Sequence, residues 1–404
     1  MIVVKAPQNY LNEPGLIARI GDYVSPFTRD GVMIITSPKA WLATQQAVDS
    51  SFAALDIHYQ RYFLQGECTA ATIAAFTEQA VAGDFKLIIG IGGGKVLDTA
   101  KGIAESGGRL PLITVPTVAA TCAAWSPISV LYTEAGAHLN SMPLQRTPEW
   151  VLVDSQIIAQ TPVRYLKAGI VDALAKWYEF EPYLRHDDSS LSLVLKAQAA
   201  KLALDIFEQL GEQAIADNQA RQVTPALIKV VDAVIALAGM ANSMRDEITR
   251  IGVAHGIHNS ITRQPDLHGF LHGELVGFGL VIQSLLDNTA GAPSRPKLLG
   301  LLKAFSTPLT LRQLGVTESV ATRAAQIARD VQIAPSIAAR LPFELNVDRI
   351  EQALLFVAKD AAAGDAAAVG EFAVGYRAAG SSLVHDTAVG YRADGNGLVP
   401  GYRG

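Results

Sequence analysis

Two stretches of this chain carry residue types at spacings that could do chemistry. In Leu87-Ile-Ile-Gly-Ile-Gly-Gly-Gly-Lys-Val-Leu-Asp-Thr-Ala-Lys101, a short apolar run reads as a buried strand. Gly92, Gly93 and Gly94 break it, and Lys95 to Glu105 resumes with helical spacing. Glycines at a strand-to-helix junction let backbone N–H groups approach an anion, and the helix start behind them adds a positive dipole end. Gly92 to Asp98, Lys95 included, is therefore a candidate cradle for a cofactor pyrophosphate. There a side chain at Gly93 or Gly94 would fill the phosphate space and strain the turn. A turn that uses glycine for conformation alone is the alternative, since the spacing is not Gly-x-Gly-x-x-Gly.

The second stretch holds four of the eight histidines: His255, His258, His268 and His272. Imidazole is the commonest zinc ligand. His255 and His258 share a helix face at i, i+3, and His268 and His272 one at i, i+4, with a turn at Pro265 between the pairs. Hydrogen-bonded structural histidines are the plainer alternative. Upstream, Asp172 sits in Lys167-Ala-Gly-Ile-Val-Asp-Ala-Leu-Ala-Lys-Trp177, on an apolar helix face where a carboxylate is costly without a cation or donors. Lys176, one turn on, could satisfy it; so could a metal shared with the histidines.

The elements that would position these groups follow from the pattern of the chain. Apolar runs at 31–36, 85–91, 110–115 and 151–154 alternate with helical stretches at 40–55 and 69–82, the rhythm of a mostly parallel sheet. Thr161-Pro162 reads as a helix N-cap and first-turn proline. Residues 163 to about 360 then repeat Ala and Leu at helical spacing. After about residue 361 the chain turns Ala/Gly-rich, with the echoes Ala373-Val-Gly-Tyr-Arg-Ala378 and Ala388-Val-Gly-Tyr-Arg-Ala393. Either a flexible extension or a small packed hairpin accounts for that composition. The expected organisation is an α/β domain over 1–160, an all-α domain over 161–361 and a low-complexity tail over 362–404.

With 404 residues, half of them hydrophobic and 18% charged, the chain can build a large core. A net charge of −5 without a basic stripe argues against a nucleic-acid partner. No uninterrupted apolar run reaches the roughly 20 residues of a membrane span, and the N-terminus lacks a signal pattern. Cys68 and Cys122 are too few for a disulfide framework. A soluble cytoplasmic protein is expected, without a membrane partner.

Together these segments resemble the metal-dependent, iron-containing alcohol dehydrogenase family, glycerol dehydrogenase branch, over about residues 5 to 360. GIGGGKxxDTAK is similar to its cofactor loop, AGIVDALAKWYE to its AGIGDALAxWxE segment, and AHGIHNSIT with LHGE to its AHAxHNGLT and HGE segments. The resemblance implies a glycerol dehydrogenase-like, dehydroquinate synthase-like fold, an α/β nicotinamide-binding domain followed by an all-α metal-binding domain. It implies that Asp172, His255 and His272 bind one divalent metal, with zinc favoured over iron. That leaves His258 to relay a proton or to support the ligand shell. Thr117 and Thr121 match positions that line the nicotinamide, and a homo-oligomer is the family's habit.

Three departures refine the expectation. Glycerol dehydrogenases carry aspartate where this chain has Cys122, and glycine where it has Arg250. Lost acid and gained guanidinium suggest an anionic substrate, because arginine pairs a carboxylate bidentately; an ion pair of Arg250 with Asp246 or Glu247 is the alternative. These features resemble the hydroxycarboxylate dehydrogenase sub-branch. NAD-specific relatives also place an aspartate after the early strand. Here Ile35-Thr-Ser-Pro-Lys39 has none, so Ser37 and Lys39 admit NADP(H), slightly favoured over NAD(H). The expected activity is hydride transfer between nicotinamide and a small 2-hydroxy or 2-oxo acid. Glycerol or a vicinal diol is the alternative substrate, and a dehydroquinate synthase-like lyase the remote one.

Overall fold

A computed structural model describes residues 2–186, 190–248, 250 and 252–358. The tail from 362 onward, with its repeated Val-Gly-Tyr-Arg, lies outside the described residues. The large sheet has six strands: β1 (Asn9–Glu13), β2 (Val32–Thr36), β3 (Tyr59–Phe63), β4 (Leu87–Gly92), β5 (Leu112–Pro116) and, after a hairpin, β8 (Trp150–Asp154). The hairpin is β6 (Ile128–Tyr132) with β7 (His138–Pro143), antiparallel. The sheet order is β1-β8-β5-β4-β2-β3, and every pairing is parallel.

The central strands are continuous apolar runs because both of their faces are covered. Val32, Ile34, Leu87, Ile89 and Ile91 pack on one side with Trp41, Val48 and Phe52 of α1 (Pro38–Ala54). Met33, Ile35 and Ile88 pack on the other with Ala80 of α2 (Ala70–Ala82) and with Val96, Ala100 and Ile103 of α3 (Gly94–Ser106). The chain runs from β2 out to β3, then returns to lay β4 on the other side of β2. The strand order therefore switches direction between β2 and β4, and in open α/β sheets ligands bind outside the carboxyl ends of the strands at such a point.

After β8 the architecture becomes helical. The main elements are α4 (Val163–Arg185), α5 (Leu191–Gln219), α6 (Pro225–Asp232), α7 (Ala238–Ser243), α8 (Val253–Ile261), α9 (His272–Leu286) and α10 (Arg295–Ala304). Sheet and helices pack as one compact unit. Thr161 is not the N-cap of α4: the cap position falls on Pro162, and the Thr161 hydroxyl donates instead to the Ile158 carbonyl. The helical run Pro225–Ser243 has the length and hydropathy of a membrane span, but 56% of it is buried within the protein, and Lys229 and Asp232 interrupt it. Asp232 accepts hydrogen bonds from Tyr10 at 2.6 Å and Asn12 at 2.8 Å, which tie this core helix to β1.

Close backbone contacts at glycines set how α4, α8 and α9 meet. A Cβ at Gly273, in the first turn of α9, would overlap the Ala168 carbonyl of α4, and one at Gly279 would overlap the Ala254 carbonyl of α8. Gln283 braces the same three helices: its amide donates to the Tyr178 carbonyl at 2.7 Å and its oxygen accepts from the Ala254 N–H at 3.3 Å. Gly273→Ala should therefore lower stability by about 1–3 kcal/mol through overpacking. Gly300→Ala, within α10 where a Cβ meets nothing within 4 Å, should raise it by about 0.5–1 kcal/mol through helix propensity. Thermal unfolding of the two variants side by side checks the sign of each.

Candidate metal and cofactor site

Three side chains from three helices converge. Asp172, two turns into α4, is 2% exposed. Its Oδ1 lies 3.3 Å from His255 Nε2, of α8, and 3.3 Å from His272 Nε2, at the start of α9. One ligand atom from each residue lies within 4.8 Å of the others. Among the described residues no other set of His, Cys, Asp and Glu side chains meets that test. A carboxylate and two imidazoles fit a divalent ion and leave it coordination positions for substrate or water.

A further layer of hydrogen bonds orients both rings. His255 Nδ1 lies 2.7 Å from Glu179 Oε2, and the His255 backbone N–H donates to Glu179 Oε1 at 2.9 Å. With Nε2 offered to a metal, Nδ1 carries the proton and donates to this carboxylate. Glu179 reaches it because residue 252 is glycine: a Cβ there would overlap the carboxylate. His272 Nδ1 lies 3.0 Å from His258 Nε2, whose own Nδ1 lies 2.9 Å from Asn259 Oδ1. The amide oxygen can only accept. The protons therefore run one way, from His258 Nδ1 to Asn259 and from His272 Nδ1 to His258, leaving His272 Nε2 as a lone pair facing Asp172.

Without a cation the electrostatics favour a proton on His255 Nε2 toward Asp172, in the place a divalent ion would take. Burial acts to raise the Asp172 carboxyl, but the Lys176 ammonium and the bonds from His255 and His272 outweigh it and hold it well below the usual carboxylate range. Burial would lower His255, yet Glu179 and Asp172 push it up to about 9. Burial and the neighbouring imidazoles His272 and His255 keep His258 well below the usual histidine range, a neutral ring that supports His272.

Several expected placements change. His268 does not share a helix with His272: a short turn at Pro265–Leu267 precedes it, α9 begins only at His272, and the His268 ring binds the Thr262 carbonyl at 2.9 Å. Lys176 does bond Asp172, at 3.3 Å, through the same Oδ1 that faces both histidines. Arg250 is not an open guanidinium. It donates to both Asp246 oxygens, at 2.9 and 3.1 Å, and to Ser190 at 2.8 Å, with its side chain 1% exposed. The ion pair with Asp246 is the reading the structure holds. Cys122 is buried beside Asn242, whose amide donates to its sulfur at 3.4 Å, and burial pushes the thiol up, against any role as a nucleophile.

The glycine loop lies at the switch point of the sheet. β2 ends beside β4, with Thr36 paired to Ile91, so the chain leaves β2 at Ser37 next to where it leaves β4 at Gly92. The Thr117 N–H donates to the Gly92 carbonyl at 3.1 Å, which brings the loop after β5 alongside. Gly92 is required by packing, since a Cβ would press on Val96 at 2.8 Å. Gly93 and Gly94 differ. Gly93 has φ −85°, so no strain demands glycine there. A Cβ at Gly93 would meet only Val118 at 3.4 Å, and one at Gly94 would meet Thr121 Oγ1 at 3.6 Å and Ala123 at 3.8 Å. The expected strain at these two glycines is absent; they border open space in front of a helix start with no side-chain cap. Lys95 turns its ammonium to Glu67, and Asp98 turns inward, 2.6 Å from the buried Lys101. Ser37 caps α1 by accepting from the Ala40 N–H at 3.4 Å, and Lys39 is exposed.

Glu179, Gln283, Asn242 and Lys101 went unassigned in the sequence. Only Glu179 carried a usable signal, as a second acid two turns after Asp172 on the same helix.

Comparison with known proteins follows the same lines. The family described as iron-containing alcohol dehydrogenase matches residues 7–155. Hydroxycarboxylate dehydrogenase A of Escherichia coli is 35% identical over 315 residues, covering 78% of this chain and 85% of that protein. The glycerol dehydrogenase of Pseudomonas putida is 31% identical over 356 residues, covering 87% and 96%. Among solved structures, a probable glycerol dehydrogenase from Sinorhizobium meliloti superposes with a TM-score of 0.78 at 26% identity, covering 88% of this chain and 97% of that one.

Loss of the Glu179 charge should be felt through His255. Glu179→Gln keeps the shape but weakens the bond to Nδ1, and metal affinity should fall about tenfold to a hundredfold. Competition against a chromophoric chelator measures it; an unchanged affinity would show that Glu179 plays no part in orienting the ligand.

Proposed function

Because the chain belongs to the iron-containing alcohol dehydrogenase family, and is thus a metal-dependent dehydrogenase working with a nicotinamide cofactor, we propose that it interconverts a small 2-hydroxy acid and its 2-oxo acid. In this reading Asp172, His255 and His272 hold the metal, with zinc as the ion. The observation that carries the assignment is their convergence on one buried carboxylate oxygen. For the substrate class, support comes from the neutral Cys122 where glycerol dehydrogenases have an acid, and from the similarity to a protein named hydroxycarboxylate dehydrogenase A. A homo-oligomeric cytoplasmic enzyme completes the reading.

When bound, the divalent ion supplies Lewis-acid polarisation of the substrate oxygen and the nicotinamide supplies or accepts hydride. The residues of the chain do the rest. Glu179 and His258 fix the tautomers of the two ligand rings, so each presents a lone pair without reorganisation. The loop Gly92 to Gly94 and the start of α3 receive the pyrophosphate, with Thr117 and Thr121 toward the nicotinamide. Cys122 keeps the wall beside Asp172 free of negative charge.

Metal-loaded protein should consume NADH or NADPH when given 2-oxobutyrate, followed by absorbance, with a higher specificity constant than for glycerol oxidation. A preference for glycerol would overturn the substrate class.

The absence of an acid at the ribose end supports acceptance of NADP(H) as well as NAD(H). Ser37→Asp retains an N-cap for α1 and adds a negative charge where a 2′-phosphate would lie. The variant should shift preference toward NAD by about 1–2 kcal/mol, a like-charge penalty reduced by solvent. An unchanged NADP-to-NAD ratio of specificity constants would show that this strand end does not read the ribose.

A further inference from the structure

We propose that Lys176 is the residue that recognises the carboxylate of an anionic substrate at the metal centre. The proposal rests on the substrate class argued above and names the group that selects it. Lys176 is 5% exposed, and among the described residues its two hydrogen bonds both go to Asp172, to the backbone oxygen and to Oδ1, each at 3.3 Å. Both are long for a charged donor, and an ammonium has three protons to place. The Oδ1 it approaches is the oxygen that His255 and His272 also approach, so the carboxylate is shared rather than dedicated to the lysine.

The charge balance follows from those placements. With a divalent ion held by Asp172 and two neutral imidazoles, the ion and Lys176 face two buried carboxylates, Asp172 and Glu179. That leaves one positive charge in excess. The adjoining buried pair, Asp98 and Lys101 at 2.6 Å, cancels within itself. Cys122, whose charged neighbours are chiefly Lys176 and Asp172, adds no charge as a thiol. A buried centre with a net charge is costly. A monoanionic substrate neutralises it; a neutral polyol does not. Arg250 cannot take this role while it is held by Asp246 and Ser190. Lys176 stands beside the shared oxygen, so a group held by the same three ligands lies next to its ammonium. A compact point charge with rotatable donors suits one oxygen of a carboxylate whose neighbouring oxygen is engaged elsewhere.

The test uses the metal-loaded protein saturated with NADH and two unreactive probes: oxamate, which mimics a 2-oxo acid, and its neutral counterpart oxamide. Calorimetry should show the unmodified protein binding oxamate at least about tenfold more tightly than oxamide. Lys176→Met should retain metal by elemental analysis, because removing a cation relieves repulsion of the ion. It should bind oxamate about tenfold to a hundredfold more weakly, the range expected for loss of one charged hydrogen bond. Oxamide binding should change much less, and Lys176→Arg should recover part of the oxamate affinity. Cys122→Asp, which sets a carboxylate beside the ammonium, should weaken oxamate about tenfold by the same logic and serves where the lysine variant does not fold. Metal-loaded Lys176→Met with the oxamate affinity of the unmodified protein would overturn the proposal, as would a Cys122→Asp protein that binds oxamate normally. A lack of oxamate preference in the unmodified protein would instead remove the substrate class beneath it.

Discussion

A carboxylate buried against apolar helices is unstable unless positive charge or donors reach it, and Asp172 imposes that demand on the helical region. Lys176 meets part of it from one turn along the same helix. Two imidazoles on α8 and α9 turn their Nε2 atoms to the same oxygen, so that a cation held among the three would meet the remainder; those helices touch α4 and each other at glycines and a bracing glutamine. The chemistry and the packing are therefore one problem. Whatever loosens the contact at Gly273 moves His272 away from the oxygen it must face.

The sheet answers a different requirement. Its central strands are buried on both faces, and the switch between β2 and β4 gathers Ser37, the glycine loop and the loop after β5 at their carboxyl ends. The last of these loops is held from beneath by Lys101, a fully buried lysine bonded to the carbonyls of Ala123, Ser126 and Ile128. That loop also carries Cys122, whose charged neighbours include Lys176 and Asp172 of α4.

How much of this was legible in the sequence depended on burial and on local spacing. Strands β2, β4, β5 and β8 were visible as apolar runs because both faces are covered. Edge strands β1 and β3, Asn-Tyr-Leu-Asn-Glu and Tyr-Gln-Arg-Tyr-Phe, carry no such run and were missed, since their polar residues face solvent or bond other elements. Asp172 stood out because a lone acid on an apolar face is costly. His268 misled because proximity in sequence to His272 hid the turn and the helix start that separate them. Arg250 showed its charge but not its partner, for a pair at i, i+4 and a free ligand-binding group have the same residue types. The chain of protons through His258 and Asn259 needs ring orientation, which no spacing encodes.

The central claim is that the carboxylate of Asp172 and the imidazoles of His255 and His272 form one metal site. Equilibrium zinc binding to metal-stripped protein tests it most directly, comparing the unmodified chain with Asp172→Asn, which preserves shape and hydrogen-bonding capacity but removes the charge. The account predicts one tight ion per unmodified chain and an affinity lowered by more than about a hundredfold in the variant, beyond the effect of losing an orienting partner. One ion per chain bound equally tightly by Asp172→Asn would contradict it.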